Sequence, residues 1–520
     1  MGVMIAYLTA AVNPAPSNTR PGFLLFQREA IILTGFVRQT GEFMRRGLFA
    51  GVLAVVAAVW VAGQAQAQSR PRSFVIVGAT VVDGSTRPPR KMNVRVRGDK
   101  IAKVGNFKPG PREITVDGEG LILAPGFIDP HNHSTRGLET EPGAPTQVSQ
   151  GITTVVLGQD GGSPLPVAEY LDARRKNPAA VNVVMMVGHA TVRRAVMGED
   201  FRRAARPDEI AKMEALVEQA MREGARGLSS GLEYETGSYA TTEEVVALAK
   251  VAARHRGIYI THMRDEADRT IEAVREVITI AEQAKIPAQI THIKLGTVGV
   301  WGKTGEVIKL VEDAQRRGLD ITADCYPYTA WHSNLKVLVP NKQWKDPASV
   351  KEALDDVGGG KNITITELPS HTAYLGRNMD EIAAAEGISE VELYMRIVDD
   401  DEAGIIGHTM AAEDVRAFYR RPWVMVSSDG GIGTLHPRGA GTYPRVLGRL
   451  VRDKQWLTLT EAVRKMTSFP ARRFRLRDRG LIRKGMKADL VLFNAESVID
   501  NSTFAQPAKL ADGIEKVFVN

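Results

Sequence analysis

The sequence predicts an α/β fold in which a (β/α)₈ barrel is joined to a small β domain. Through the middle of the chain, apolar strand-like runs alternate with amphipathic helical patterns. Repeated strand–helix units of this kind form a parallel sheet with right-handed crossovers, and about eight of them close naturally into a barrel. Strand-rich segments near both ends of the chain bracket this middle part.

The small β domain is predicted from segments rich in alternating and β-branched residues. Residues 73–116 contain three such segments, broken by Gly, Asp and Pro, which predict short antiparallel strands joined by tight turns. Similar segments lie at residues 488–493 and 514–519. We therefore expect residues 68–125 and 473–520 to form one β domain assembled from both ends of the chain.

The barrel is predicted to occupy residues 126–472. Its strands are expected in apolar runs at residues 153–157, 182–187, 227–228, 259–261, 288–293, 320–323, 362–367 and 423–427. Helices are expected at residues 208–223, 242–255 and 269–284, where apolar residues recur at i, i+3, i+4 and i+7. The less regular region around residues 331–418 is expected to be an insertion beside the seventh strand.

Residues 44–67 have the three parts of a secretory signal peptide in the required order. Arginines occupy positions 45 and 46, an apolar stretch covers residues 48–62, and Ala-Gln-Ala follows at residues 65–67. The alternative is a transmembrane anchor, but the Gly, Gln and Ala residues at the end of the stretch favour cleavage. We therefore predict export to the periplasm, with no stable membrane insertion once the signal is removed.

The sequence also gives a prediction for the residues at each end of the chain. Residues 1–43 precede the signal and have no recognisable role, so they are predicted to be an unstructured leader, with the true start at Met44 and the mature chain beginning near Gln68. The other end stops within the predicted strand at residues 514–519, which predicts a truncated C-terminus and a β domain that lacks a strand.

Charge and cysteine content narrow the function. The formal charge is +7, but no block of five or six Lys and Arg residues occurs, so nucleic-acid binding is not predicted. Cys325 is the only cysteine, which excludes an intrachain disulfide and a cluster of thiolate ligands. A metal site in this chain must therefore use His and carboxylate ligands. The sequence carries no signal for an oligomeric state.

Histidines and an aspartate occupy the ends of several predicted strands, where barrel enzymes carry their chemistry. His131 and His133 end one apolar run as an H-x-H pair and point to the same side of a strand. His262 and His292 end two other runs, and Asp429 follows the last. A lone histidine at a strand end is more often a hydrogen-bonded core residue. Five such positions in this order instead predict a Zn²⁺ site, since zinc binds imidazole and carboxylate and acidifies water.

Several motifs in the chain resemble those of the N-acyl-D-amino-acid deacylases (D-aminoacylases) of the amidohydrolase superfamily. They are APGFIDPHNH, ITHMRDE, ITHIK, YPYTA, SSDGG, HPRGAGTYPRVLG, MTSFPARRF and RGLIRKGMKADLVLF. The resemblance runs from about Ser73 to the last residue and is closer than that to dihydropyrimidinases or dihydroorotases. It implies a TIM barrel with a small β-sandwich built from the N- and C-terminal segments.

The resemblance also implies roles for the strand-end residues. His131 and His133 match the ligands on the first strand, and His262 and His292 match the ligands of the tightly held zinc. Asp429 matches the catalytic aspartate, which acts as general base toward the water on the metal and then as general acid toward the leaving amine. Asp429 is also expected to contribute to metal binding.

One position departs from the family pattern. Family members commonly carry Asn-Cys-Gly after the second strand, and the Cys lies between the two metal positions, whereas this chain has Gln159-Asp160-Gly161. Because a carboxylate can ligate or bridge metal ions, we expect Asp160 to join a site for one or two zinc ions. The alternative is that Asp160 is only a turn residue before the glycines.

A deacylase must also bind the carboxylate of its substrate. Arg438, Lys294 and Tyr326 match the family positions that do so, and a guanidinium can hold a carboxylate through two parallel hydrogen bonds. A hydroxyl is expected a few residues after the YPY segment, and Ser333 is the candidate. The alternative for Arg438 is an ordinary arginine in a solvated loop.

The sequence therefore predicts a zinc-dependent hydrolase that uses metal-activated water and an Asp general base. The expected substrates are N-acyl-D-amino acids or dipeptides with a C-terminal D-residue, and the handedness rests wholly on the resemblance. One alternative is an amidohydrolase acting on a cyclic amide or an L-acyl amino acid, but such barrels often use a metal-bridging modified lysine, and position 160 is not Lys. Another is a metal-free binding protein on the same barrel, which the complete His and Asp set disfavours.

Overall fold

The computed structural model of the chain describes residues 4–7 and 73–520. The predicted signal peptide at residues 44–67 lies outside the described residues, and so does the predicted leader except for its residues 4–7. Within the described ranges, no helix combines the length and the apolar character that a membrane crossing requires.

The centre of the fold is a set of parallel strands, numbered β1 to β8 here. They are β1 (Phe127–Asp129), β2 (Ile152–Leu157), β3 (Asn182–Met185, continued by Val187–Gly188), β4 (Gly227–Gly231), β5 (Ile258–His262), β6 (Ala288–Ile290), β7 (Ile321–Cys325) and β8 (Val424–Val426). Each strand pairs in parallel with the one before it in this series. The predicted mixed α/β architecture is therefore confirmed.

Backbone hydrogen bonds also join the ends of β8 and β1. The amide of His133 donates to the carbonyl of Gly430 at 2.7 Å, and the amide of Asp429 donates to the carbonyl of His131 at 3.0 Å. A parallel bridge links Asn132 to Gly430. The segments that follow the first and last strands therefore lie side by side, and this juxtaposition positions the site described below.

Helices follow most of the strands. They are Gly137–Thr140, Pro145–Val148, Val167–Lys176, His189–Met197, Pro207–Glu223, Glu235–Ser238, Thr242–Arg254, Thr270–Ala284, Thr304–Arg316, Ala412–Tyr419, Arg438–Arg445, Leu459–Met466 and Ser468–Arg473. The three helices predicted from periodicity are confirmed to within one residue at each end. Helix Pro207–Glu223 buries Met213 and Val217, and it ends at Gly224, whose φ of 116° closes a helix in the left-handed region.

The insertion between β7 and β8 contains its own antiparallel sheet. Trp331–Asn334 and Ile363–Glu367 pair on either side of Gly404–Gly407, and helices Pro347–Asp356, Met379–Glu386 and Glu390–Ile397 pack with them. The prediction that residues 362–367 form a strand of the parallel series is therefore wrong. The alternation of buried Ile363 and Ile365 with partly exposed threonines is typical of a sheet covered on one face, which this strand occupies.

The two ends of the chain contribute two further sheets. One has the strand order Lys100–Gly105, Asn93–Arg97, Ser73–Val77 and Ile114–Asp117; the other has the order Met4–Tyr7, Ile514–Val519, Leu490–Phe493, Ile122–Pro125, Thr80–Val81 and Arg90–Lys91. Apolar residues of both sheets share one core, in which the rings of Phe74 and Phe518 stack at 5.1 Å.

Pairing within these sheets differs from the prediction in two respects. Ser73–Val77 pairs in parallel with Ile114–Asp117, where antiparallel pairing is predicted, because the intervening chain crosses to the other edge of the strand instead of turning back. Met4–Tyr7 pairs antiparallel with Ile514–Val519, so these four residues of the predicted leader are not unstructured. An open sheet edge offers unpaired amide and carbonyl groups that such a segment can satisfy.

Asp489 joins the terminal segment to the parallel strands. Its carboxylate is buried, lies 2.7 Å from the guanidinium of Arg479, and accepts hydrogen bonds from the amide of Asn520 at 3.1 Å and the side chain of Asn182 in β3 at 3.3 Å. Three parts of the chain therefore depend on one buried charge.

Substitution Asp489→Ala is expected to lower the free energy of unfolding by about 3 kcal/mol, because it leaves the mostly buried Arg479 with only the half-exposed Asp478 as a partner and removes the hydrogen bonds to Asn182 and Asn520. Urea unfolding followed by circular dichroism measures this. Glu515→Ala, which removes an exposed carboxylate of the neighbouring strand, is the matched control and should change stability little. Equal effects of the two substitutions would contradict the role assigned to Asp489.

Candidate metal centre

Six side chains converge where the carboxyl ends of the parallel strands meet. They are the six predicted metal-ligating residues, namely His131 and His133 after β1, Asp160 after β2, His262 at the end of β5, His292 after β6 and Asp429 after β8. All of them lie within contact distance of at least one other member. The structure therefore brings together every position that the sequence predicts to bind metal.

The first set of ligand atoms belongs to the strands at the two ends of the series. The Nε2 atoms of His131 and His133 lie 3.1 Å apart. Oδ1 of Asp429 is 3.2 Å from Nε2 of His131 and 3.1 Å from Nε2 of His133. Oδ2 of Asp160 completes the set, at 3.5 and 3.4 Å from the same two nitrogens. Two imidazoles and two carboxylates thus lie within contact distance, and His131, Asp160 and Asp429 together with His292 are close enough to hold one metal ion.

The second set lies beside the first and shares Asp160 with it. Nδ1 of His262 and Nε2 of His292 are 3.1 Å apart, and Oδ1 of Asp160 is 3.7 Å from Nε2 of His292. The two oxygens of Asp160 therefore face two different sets of nitrogens. The side chain of Asp160 thus contacts imidazoles of both sets.

Three of these ligands require an unusual backbone. The φ angles of Asp160, His292 and Asp429 are 52°, 34° and 48°, in the left-handed region that residues other than Gly seldom adopt. Such a conformation costs on the order of 1–3 kcal/mol and persists only where the surrounding structure holds it. At each of the three positions the chain leaves a strand, and the strained residue directs its side chain into the site.

Two buried glutamates orient the histidines of the second set. Oε2 of Glu233 is 2.6 Å from Nε2 of His262, and Oε1 of Glu266 is 3.0 Å from Nδ1 of His292. Each carboxylate engages one ring nitrogen, which leaves Nδ1 of His262 toward His292 and Nε2 of His292 toward Asp160. The contacts of these two glutamates with the histidines are not predicted from the sequence. The available signal was position, because Glu233 follows β4 and Glu266 lies four residues after His262.

A buried aspartate fixes the first set in the same way. Oδ1 of Asp129 accepts a hydrogen bond from the amide of Ser428 at 2.9 Å, and Oδ2 accepts one from Nδ2 of Asn132 at 2.9 Å. The hydroxyl of Ser428 also donates to this carboxylate. Asp129 thereby ties the segment that carries His131 to the segment that carries Asp429.

Neighbouring charges control the protonation of the ligands. Burial would raise the pKa of the Asp160 carboxyl, but the histidines around it hold that pKa well below its ordinary value. Burial would also raise the pKa of the Asp429 carboxyl, but Arg438 and the nearby histidines hold that pKa well below its ordinary value. Burial lowers the pKa of His292, yet Glu266 raises it to about 10. Both carboxylates are thus ionised at neutral pH.

The four predicted substrate-binding residues lie next to these ligands. Arg438 is buried, with Nη1 2.8 Å from Oδ2 of Asp429 and its guanidinium 4.7 Å from the ring centre of Tyr326. It is therefore not a solvated loop arginine. Lys294 is also buried, and its ammonium contacts Glu266 and lies 2.8 Å from Nδ1 of His292. Ser333 approaches the same space from the insertion.

These residues open into one cavity of about 1030 Å³ between the strand ends and the insertion. Nine of the ten predicted site residues line it, while His131 is fully buried behind them. Cavities of this size hold small-molecule ligands and bury most of their surface. The arrangement can therefore hold metal ions at the floor of a pocket and a carboxylate-bearing small molecule above them.

Comparison with known proteins shows that the chain is similar to amidohydrolases that remove acyl groups from D-amino acids. The model of the amidohydrolase family matches residues 115–520. The D-aminoacylase of Alcaligenes xylosoxydans xylosoxydans is 37% identical over 88% of this chain and 95% of its own length. The N-acyl-D-glutamate deacylase of the same organism is 35% identical over 86% of this chain and 92% of its own length.

A solved structure gives the same result. The N-acyl-D-glutamate deacylase of Bordetella bronchiseptica, in complex with zinc and a phosphonate inhibitor that mimics the tetrahedral intermediate, superposes with a TM-score of 0.79 at 32% identity. The match covers 86% of this chain and 95% of that chain. The predicted resemblance is confirmed: this chain belongs to the amidohydrolase family and is similar over 88% of its length to a D-aminoacylase.

Proposed function

We propose that this chain is a zinc-dependent hydrolase that cleaves the amide bond of N-acyl-D-amino acids, or of dipeptides that end in a D-residue. The observation that carries the proposal is the position of Asp160, whose two carboxylate oxygens face two sets of metal-binding nitrogens. The similarity to a D-aminoacylase and an N-acyl-D-glutamate deacylase supports the class of substrate.

The residues of the site fit zinc. Two ligand atoms at bonding distance from a tetrahedral zinc ion lie about 3.3 Å apart, and the separations within the two sets run from 3.1 to 3.7 Å. Oδ1 of Asp160 is buried without a hydrogen-bond partner among the described residues, as expected of an atom that awaits a cation. One set would hold one ion, the other would hold a second, and Asp160 would bridge them.

The side chains around the zinc sites have different roles in the proposed hydrolysis. Zinc bound there supplies Lewis acidity, which lowers the pKa of a water molecule and polarises the scissile carbonyl. Asp429 accepts a proton from the attacking water and later delivers it to the nitrogen of the leaving amine. Arg438 and Lys294 bind the carboxylate of the substrate, with the hydroxyls of Tyr326 and Ser333 beside them. Because Arg438 lies 2.8 Å from Asp429, a carboxylate held there lies close to the general base.

The architecture and the location of the protein form part of the proposal. The parallel series with its β8-to-β1 contacts supports a closed TIM barrel, and the core shared by the two smaller sheets supports a β-sandwich. The signal-like segment at residues 44–67 supports export to the periplasm.

Purified protein is expected to contain zinc and to hydrolyse N-acetyl-D-amino acids but not their L-enantiomers, while Asp429→Ala retains zinc and loses turnover by at least about 10³-fold. Plasma mass spectrometry measures the metal, and release of the free amine measures turnover. Glu515→Ala is the control and should behave as the parent protein. A folded protein without zinc and without turnover would point to a barrel that only binds. Preference for an L-substrate or a cyclic amide would contradict the proposed substrate class.

Substitution Glu266→Gln is expected to weaken zinc binding about 10- to 100-fold, because it removes the charge that orients His292. Competition with a chromophoric chelator measures the affinity. Glu272→Gln, which neutralises an exposed glutamate on the next helix, is the matched control. An unchanged affinity in Glu266→Gln would contradict the orienting role of this carboxylate.

A further inference from the structure

His436 is a buried histidine that belongs neither to the metal centre nor to the lining of the cavity. It precedes Arg438 by two residues, and its side chain is inaccessible to solvent. Nδ1 of its ring accepts a hydrogen bond from the amide of Arg438 at 3.0 Å, and Nε2 lies 3.1 Å from the carbonyl oxygen of Ala330. The imidazole therefore joins the backbone of Arg438 to the chain just before the insertion.

The two partners fix the protonation state of this ring. A backbone amide can only donate and a carbonyl can only accept, so only the neutral imidazole with its proton on Nε2 satisfies both contacts. Burial and the charge of Arg438 hold the pKa of His436 well below its ordinary value, which favours the same neutral form. His436 thus accepts from the amide of Arg438 without adding a second positive charge beside the guanidinium.

The guanidinium of Arg438 is attached to the same part of the chain. Its Nη2 donates to the carbonyl of His332 at 3.3 Å, in the insertion strand Trp331–Asn334. This strand also carries Ser333, whose hydroxyl is expected beside the substrate carboxylate. His436 and Arg438 therefore contact carbonyls only two residues apart, and together they hold two of the predicted substrate-binding groups next to each other.

Aromatic side chains hold the imidazole of His436 in place. The rings of Tyr328 and Phe504 meet it edge-on, with centroid distances of 5.2 and 5.1 Å. The hydroxyl of Tyr328 also donates to the carbonyl of Pro437 at 3.3 Å, and the hydroxyl of Ser502 donates to the same carbonyl at 2.9 Å. A ring confined in this way has little freedom to rotate, so the amide that donates to it is held in one position.

Arg438 retains donors for a ligand despite these contacts. Its Nε and Nη1 are buried and form no hydrogen bond with the described residues, although Nη1 lies 2.8 Å from Oδ2 of Asp429 as an ion pair. Buried donors are normally satisfied, so these two are available to an incoming carboxylate. Because a guanidinium binds a carboxylate through two parallel hydrogen bonds, its orientation decides how strongly it binds.

We infer that His436 is a positioning residue for the substrate carboxylate, a role that it fulfils by fixing the backbone of Arg438. The inference rests on the proposed function, because it assumes that Arg438 binds the α-carboxylate. It extends that function to a side chain that lies outside both the metal centre and the cavity lining. The contact of Nδ1 with the amide of Arg438 carries this role, while the contact of Nε2 with Ala330 anchors the ring.

Two amide substitutions separate the contacts of His436. The short side chain in His436→Asn can still accept from the amide two residues ahead, as asparagine does in turns, but it does not reach Ala330. The longer side chain in His436→Gln can reach the carbonyl of Ala330, and it gives up the acceptor at Arg438. Each variant therefore keeps one hydrogen bond and loses one, and only His436→Gln releases the backbone of Arg438.

Kinetics of the zinc-loaded full chain are measured with the N-acetyl-D-amino acid that the parent protein hydrolyses fastest. His436→Gln is expected to raise KM about tenfold and to change kcat less than about twofold, because the α-carboxylate does not react and its contacts serve binding alone. His436→Asn should stay within about twofold of the parent protein in both constants. Zinc content, measured by plasma mass spectrometry, should be unchanged in both variants.

His408→Gln is the matched control. The ring of His408 also packs edge-on against Phe504, at 4.8 Å, but it is exposed and its Nε2 lies 3.5 Å from the hydroxyl of Thr364. The same substitution there should leave KM and kcat unchanged.

The inference would be overturned by a KM in His436→Gln no higher than in His436→Asn, by a kcat that falls as far as KM rises, or by loss of zinc. Failure of either variant to fold would also overturn it, because His436 would then be needed for folding rather than for positioning Arg438. In each of these cases, turnover by the parent protein leaves the proposed function standing. A parent protein that hydrolyses no N-acetyl-D-amino acid would overturn both.

Discussion

The contact between the ends of β1 and β8 is the constraint on which the site depends. Asp129 accepts hydrogen bonds from the backbone and hydroxyl of Ser428, and the amide of Asp429 donates to the carbonyl of His131. Residues almost three hundred positions apart in the chain become neighbours through these bonds. Without them, the histidines after the first strand and the aspartate after the last would belong to different regions of the surface. The first set of ligand atoms comes together because the segments that follow β1 and β8 lie side by side.

Burial of so many ionisable groups is tolerable because their charges compensate one another. Glu233 and Glu266 face the outer nitrogens of His262 and His292, Lys294 faces Glu266, and Arg438 faces Asp429. A single buried carboxylate would protonate rather than remain charged, whereas within this network Asp160 and Asp429 stay ionised. The same network therefore keeps two carboxylates ionised beside the histidines and gives each histidine of the second set a buried carboxylate partner. Removing one member leaves its partner uncompensated, so the ligands and their buried neighbours act as one unit.

The sequence predicts the ligands well because their signals are local. A histidine or aspartate at the end of an apolar run is visible in the chain, and the parallel fold carries such positions to one side. Glu233 and Glu266 escaped prediction because their function depends on which nitrogen they reach in space. The strand at Ile363–Glu367 was misplaced for a related reason, since its short apolar alternation does not specify the sheet that it joins. The pairing of Met4–Tyr7 with Ile514–Val519 likewise leaves no trace in either segment alone.

The predicted metal ligands and the wall of the cavity above them come from different parts of the chain. The metal-binding side chains lie at strand ends, where backbone pairing and the buried network hold them, and the chain is similar over these segments to relatives with different substrates. The outer wall of the cavity comes from the insertion between β7 and β8, whose antiparallel sheet and helices lie outside the parallel series. The insertion meets the buried network only at its edge, where Lys342 donates to the carbonyl of Glu233 and the carbonyl of His332 accepts from Arg438. The ligand atoms themselves are contributed by the segments that follow the parallel strands, so the insertion can shape the space above them while the strand ends hold the ligands in place.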